Sequence, residues 1–394
     1  MGAGMKKSVL IVVLLIIIIS TFFGCSSEPR HTIEQWDKIE EERLSASGEE
    51  VQFKAIILEI VSDQKQDLGE GLESRQQIFK VRITNGPFKG DIIEAHNFLE
   101  TNSIYNIEVN EGDQIFILPE FDNEGNIINS YITETVKDKY LIIITVLFII
   151  ILIIIGKFKG IKAAITLAIT AVSIITILLP LILKGYNPIL ISSVLAIAIT
   201  IITLLIISGI NRKTLSTIIG TSSGILIGGI LALIFGKLSN LTGLSSEEAR
   251  MLAFIPQDIN FDYRGILFAG IILASLGAVM DVSMSISSSM LEIVKADPTI
   301  KKNNLISAGI NIGRDIMGTM SNTLILVYIG SSLPLMLLFM AYDISFIELI
   351  NKDIIASEII RALSGSIGLI IAIPISVLVS ASLFERRYVM KLKR

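Results

Sequence analysis

One cysteine and two histidines are all this 394-residue chain has of the side chains that most often hold metals or cross-link loops. A lone Cys25 excludes an internal disulfide and any Cys-based metal cluster. His31 and His96 both precede the apolar part of the chain, so a histidine-ligated metal and His-based catalysis within a bilayer are excluded too. Charge is scarce, at 18% of residues against about 25% in a soluble domain. No basic patch with interleaved aromatics is present, which argues against a nucleic-acid ligand. No nucleotide-binding motif appears either, leaving a gradient as the energy source for any transport.

The charge deficit is local. Charge is ordinary up to Lys139 and sparse afterwards, so the chain divides into a polar part and a polytopic membrane part. Five regions are expected: 1–25, a signal anchor or lipoprotein signal; 26–50, a linker; 51–137, an extracytoplasmic β domain; 138–385, a seven-helix membrane domain; and 386–394, a basic cytoplasmic tail. At the N-terminus Lys6 and Lys7 precede an apolar run from Val9 to Phe23, a signal-like arrangement. Gly24-Cys25-Ser26-Ser27 then resembles a bacterial lipoprotein processing site, making Cys25 a lipidation candidate. Phe22 departs from that pattern, and an uncleaved anchor ending near Gly24 fits equally. Either reading sends residue 26 outward, because the lysines stay inside.

From Val51 the pattern is β. Gln52–Val61 reads as a strand and Gln77–Ile83 alternates apolar with polar residues. Asn85-Gly86-Pro87, Lys89-Gly90-Asp91, Glu111-Gly112-Asp113 and Asn123-Glu124-Gly125-Asn126 are turn chemistry between further short strands, the last being Ile127–Thr135. A small OB-like β-barrel is expected. No stacking set of aromatics is evident in the sequence, which points to a structural or partner-docking role for this domain.

Seven apolar segments of membrane length follow: Tyr140–Gly156, Ala163–Leu183, Ile189–Ser208, Ser216–Gly236, Ile266–Ser285, Ile316–Leu338 and Leu363–Phe384. With the β domain outside, Lys157, Lys159, Lys162, Arg212, Lys213, Lys295, Lys301 and Lys302 fall in cytoplasmic stretches, as does the tail with Arg386, Arg387, Lys391, Lys393 and Arg394. That cation excess puts the C-terminus in the cytoplasm. Gly220, Gly224 and Gly228 have the four-residue spacing that lets helices approach closely, and Gly365 and Gly368 are candidates for the same. Pro180, Pro334 and Pro374 are candidate kinks.

Two polar signatures interrupt this apolar sequence. One runs Gly277-Ala278-Val279-Met280-Asp281-Val282-Ser283-Met284-Ser285-Ile286-Ser287-Ser288-Ser289. The other runs Gly313-Arg314-Asp315-Ile316-Met317-Gly318-Thr319-Met320-Ser321-Asn322-Thr323. Asp281, Ser285 and Ser288 share one helix face, and so do Asp315, Thr319 and Asn322 on the next helix. The two helices are expected to be antiparallel neighbours, with a buried cluster of Asp281, Arg314 and Asp315 toward the cytoplasmic half. Charges inside a membrane usually pair, face water or work. The plainest alternative is an Asp281–Arg314 pair that only locks two helices. Met280, Met284, Met290, Met317 and Met320 read as core filler rather than soft-metal ligands. An intramembrane aspartyl protease lacks its Gly-x-Gly-Asp setting here, so no catalytic residue, enzyme activity, metal or cofactor is assigned.

At these residues the chain resembles the YibE/F-like family of bacterial multipass membrane proteins. The resemblance rests on Gly277–Glu292, Asp297-Pro298 and Gly309–Gly330 with its Gly-Arg-Asp-Ile-Met-Gly-Thr-Met-Ser-Asn-Thr core. Leu178-Leu179-Pro180, Gly185 and Ala356–Gly368 add to it. It implies a soluble N-terminal domain followed by a helical bundle in the bacterial cytoplasmic membrane, and brings no established activity with it. The expected function is a permease or channel-like secondary transporter of a small solute or ion. Asp281 and Asp315 would bind a cation or proton, Arg314 would tune them, and Ser285, Ser288, Thr319 and Asn322 would line the path. The alternative is a non-transporting envelope protein whose outer domain docks a partner. A homo-oligomer or an envelope protein is the partner expected beyond the lipid bilayer.

Overall fold

The computed structural model describes residues 51–384, apart from 68–72, 101–102, 104–105, 123–124 and 255–260. The signal region with Cys25, the linker and the basic tail lie outside the described residues. Contacts split the chain into two compact units between Ile151 and Leu152.

The first unit contains five strands: β1 (Phe53–Asp67), β2 (Glu73–Ile83), β3 (Ile92–Glu100), β4 (Gln114–Phe121) and β5 (Ile127–Thr135). They close into a barrel in the order β1-β2-β3-β5-β4, as expected of an OB-like domain. Alternation builds the core. Phe53, Ala55 and Ile57 of β1, Phe79, Val81 and Ile83 of β2, and Ile115 and Ile117 of β4 all point inward and are buried. Each large side chain so buried contributes about 1.5–3 kcal/mol. The buried Asn97 is satisfied, donating from Nδ2 to the Ile107 carbonyl at 2.8 Å. Gly86, at φ +72°, turns the chain directly over the Phe53 ring, 2.7 Å from where a Cβ would sit.

The helices are α1 (Asp138–Ser173), α2 (Leu179–Leu183), α3 (Pro188–Ser208), α4 (Arg212–Leu238), the short α5 (Glu247–Met251), α6 (Tyr263–Ala296), α7 (Lys302–Ser331), α8 (Leu333–Ala341), the short α9 (Phe346–Ile350) and α10 (Asp353–Leu383). Among the described residues five elements are long and apolar enough to cross a membrane: 138–183, α3, α4, α6 and α10. The pair α7–α8 makes a sixth only when taken together across a 57° bend. The expected seven segments reconcile with this count at two breaks. The run Asp138–Leu183 has 46 residues, about 69 Å of helix against a hydrocarbon core of about 30 Å. Lys157 breaks it with φ 50° and ψ −128°, and Gly160 then backs onto the Leu152 backbone. Further on, a π-turn at Ile174–Leu178 precedes Pro180. Pro334 stands in the first turn of α8, just past the other bend.

In the bundle, α10 packs most extensively on α4, then on α6 and α7, while α3 closes on α6 and α4. The glycines make the α4–α10 contact possible. A Cβ on Gly224 would lie 2.7 Å from both Ala372 Cβ and Val279 Cγ1 and 2.8 Å from the Gly368 carbonyl oxygen. One on Gly368 would lie 2.6 Å from the Gly224 carbonyl oxygen. Such backbone approach maximises dispersion contact where lipid offers no hydrophobic driving force.

Candidate functional site

The hydroxyl-rich signature on α6 is divided between two faces. Ser283 and Ser287 turn into the bundle and are fully buried, along with Ser216 of α4 and Ser376 and Ser380 of α10. Ser216 and Ser380 are bonded at 2.6 Å, and Ser287 lies 3.2 Å from each, closing a triangle across three helices. One turn further along, Ser376 Oγ occupies the space beside Gly220, with Ser283 Oγ 3.2 Å from where a Gly220 Cβ would be. The Ser283, Ser376 and Thr221 hydroxyls have no hydrogen-bond partner among the described residues. This seam was missed in the sequence because Ser376 and Ser380 belong to an apolar run. The signal available was the serine cluster of α6 read together with the α4 glycines.

The opposite face of α6 carries Asp281 and Ser285, both exposed, and the half-buried Ser288. On α7, Arg314, Asp315, Thr319 and Asn322 are exposed, while Leu305, Gly309, Gly313, Leu324 and Tyr328 form the buried side. The expected antiparallel pairing of the two helices is present. Gly309 lies against Met290, and Gly313 lies against Ile286, four residues on in one helix for four back in the other. Continuing that register sets Arg314 level with Ser285 and Gly318 level with Asp281. Asp315 is then about 4.5 Å in depth from Asp281.

Two expectations need correction. The buried cluster is absent: no ion pair among the described residues includes Asp281, Arg314 or Asp315. Helix phase explains this, because the apolar Val279, Val282, Ile286 and Met290 and the small serines claim the bundle side of α6. The end of α6 also differs. Helix α6 runs on to Ala296, well beyond the expected end at Ser285, so Asp281 sits near its midpoint, more than about 20 Å from either end.

A contrasting charge pair occupies the start of α10. Glu358 and Arg361 are bridged at 3.1 Å, and the guanidinium lies over the Tyr328 ring of α7 at 6.0 Å. Both residues precede the expected start of the last apolar segment at Leu363, but α10 begins ten residues earlier, at Asp353. In the barrel, the structure also overturns the expected lack of an aromatic set. His96 and Tyr131, paired across β3 and β5, have ring centroids 6.0 Å apart, and Phe98 lies 6.5 Å from His96 and 6.3 Å from Tyr131. Phe98 is half exposed, with Glu120 within 3.5 Å of the Tyr131 hydroxyl. Strand alternation brings these three rings together from positions up to 35 residues apart, which no local pattern announces.

A closed β-barrel followed by a bundle of membrane-length apolar helices with ionisable residues at mid-helix defines a multipass membrane protein with a soluble domain. Residues 144–386 match the family model of the YibE/F-like protein, and residues 52–135 match that of the YibE/F family N-terminal domain. The chain belongs to the YibE/F family. No match was found among curated proteins or solved structures.

Proposed function

We propose that the chain is a permease or channel-like secondary transporter of a small solute or ion in the bacterial cytoplasmic membrane. In this reading the barrel is outside and the C-terminus is in the cytoplasm. The observation that carries it is the set of three ionisable groups, Asp281, Arg314 and Asp315, mid-helix on adjacent antiparallel helices and without an ion-pair partner among the described residues. Holding such a group in hydrocarbon costs at least a few kcal/mol, a cost that a structural helix would avoid with Leu or Ala. Asp281 and Asp315 offer carboxylates to a cation or proton, Arg314 sets their field, and Ser285, Ser288, Thr319 and Asn322 supply hydroxyl and amide oxygens along the same two faces. The sidedness rests on the excess of Lys and Arg in the stretches assigned to the cytoplasm. It predicts that a cysteine at Glu247 or Lys352 reacts with an impermeant thiol reagent from outside and that one at Lys301 does not.

The test is flux of protons, Na⁺ or K⁺ into liposomes containing the purified protein. The expected result is a gradient-driven flux that Asp281→Asn lowers at least tenfold. No flux of any of these ions, or equal flux in the variant, removes the ion-transport reading. A second reading, a non-transporting envelope protein whose outer domain docks a partner, is favoured by the exposed Phe98 ring beside the half-buried His96 and Tyr131. It expects Phe98→Ala to lose a co-purifying envelope protein while the membrane helices remain folded.

A further inference from the structure

We infer that a second copy of this chain covers the α6–α7 face, and that the ionisable site is completed between two protomers. The inference rests on the site named above but not on its transporting anything. Helix α7 buries one side against α6 and α10 and leaves Arg314, Asp315, Thr319 and Asn322 uncovered. Asp281 and Ser285 are uncovered on α6 at matching depth. Helix α6 is long and apolar enough to cross a membrane, so in a single chain the uncovered Asp281 at its middle would face lipid. A charged side chain at a helix centre costs roughly 2.5–3.5 kcal/mol there even on the most lenient scale.

The face has the chemistry of a twofold contact. It carries both signs, so Arg314 of each protomer can pair with a carboxylate of the other, the self-complementary arrangement that a dimer axis demands. It also permits close approach. Above Asp281 the same exposed stripe of α6 continues through Gly277, Ala274 and Gly270. A Cβ at Gly270, Gly277 or, on α7, Gly318 would meet nothing within 4 Å, so the space in front of these glycines is open to a neighbouring helix. Composition sets them apart from ordinary lipid-facing surface: the exposed side of α1 presents Leu141, Ile144, Ile151 and Ile155. Charge arithmetic then names the ligand class. Each protomer brings two carboxylates and one guanidinium, so a pair of protomers keeps two carboxylates beyond what its arginines neutralise. The interface selects a cation or protons and repels anions.

The experiment is disulfide trapping in native membranes on a Cys25→Ser background. Gly277→Cys and Asn322→Cys are placed on the face, and Ile155→Cys on α1 is the control, its parent side chain being 78% exposed. Mild oxidation is expected to convert at least half of the Gly277→Cys or Asn322→Cys protein to a covalent dimer, with less than a tenth for Ile155→Cys. Equal trapping at all three positions, or none on the face, overturns the inference. Native mass spectrometry of otherwise unmodified protein supplies a second readout. Arg314→Gln is expected to raise the dimer dissociation constant at least tenfold, and an unchanged or purely monomeric distribution overturns the pairing. Dimers trapped without any ion flux would defeat the transport reading and leave this one standing. Flux lost in Asp281→Asn with no trapping would do the reverse.

Discussion

The two faces of α6 handle polarity in opposite ways. On one, Ser283 and Ser287 are wholly enclosed by α4 and α10, and the Ser216–Ser287–Ser380 triangle satisfies its hydroxyls within a single chain. On the other, two residues away in sequence, Asp281 and Ser285 face outward, and no ion pair among the described residues includes Asp281. Serine is small and neutral, so it fits a close-packed seam and bonds to a helix carbonyl or another hydroxyl at little cost. A carboxylate does not fit there without a counter-charge. The bundle accepts the first and leaves the second at its surface. Polarity on this helix thus takes two forms, a cohesive hydroxyl seam on one side and uncovered ionisable and hydroxyl groups on the other. The Glu358–Arg361 pair differs in that its charges meet within one helix, with the guanidinium over the Tyr328 ring.

The sharpest way to break this contrast is to destroy the seam. Gly224→Leu forces a side chain where Ala372, Val279 and the Gly368 carbonyl already stand within 2.8 Å. Overpacking typically costs about 1–3 kcal/mol, and the backbone atom in the way puts this site at the top of that range. Loss of the folded form in detergent is expected, and an unchanged unfolding midpoint would remove the close α4–α10 contact from the description.

A finer comparison sets Ser287→Val against Ser285→Val. The first strips a buried hydroxyl from the triangle and is expected to cost about 1 kcal/mol in equilibrium unfolding. The second alters an exposed position and should stay within about 0.5 kcal/mol in protein kept monomeric. Equal costs would mean that the two faces are not distinct.

The smallest stability effect is expected from Asp281→Asn, also within about 0.5 kcal/mol in monomeric protein, because no ion-pair partner among the described residues is left unpaired. A loss of several kcal/mol would instead reveal a buried counter-charge for Asp281. Outside the membrane part, Asp63 offers a pH check on the barrel. The hydrogen bond from Arg75 holds its carboxyl below the ordinary carboxylate range. That contact is therefore complete above the unfolded-state pKa and is lost as pH falls through the lower folded value. Titration of the Asp63 carboxyl by NMR at or above its ordinary pKa would show that the bridge does not form in solution.

The order of the parts is legible in the sequence alone. Turn residues such as Gly86 and Gly112 and the alternation of β2 and β5 marked the barrel, since strand pattern is local and has a period of two. Uninterrupted hydropathy fixed the membrane helices, and the small-residue spacing of Gly220, Gly224 and Gly228 announced the tight helix contact that α10 makes. It also placed Asp281 and Asp315 on neighbouring antiparallel helices, because a short loop joins them. Tertiary structure alone decided which side of each helix is inside. A stripe such as Asp281–Ser285–Ser288 and its neighbour Ser283–Ser287 are equally polar as strings, and which is enclosed depends on where α4, α10 and α3 sit around α6. For the same reason the serine triangle, drawn from residues 71 to 164 positions apart, and the aromatic trio of the barrel were invisible until distant strands and helices met.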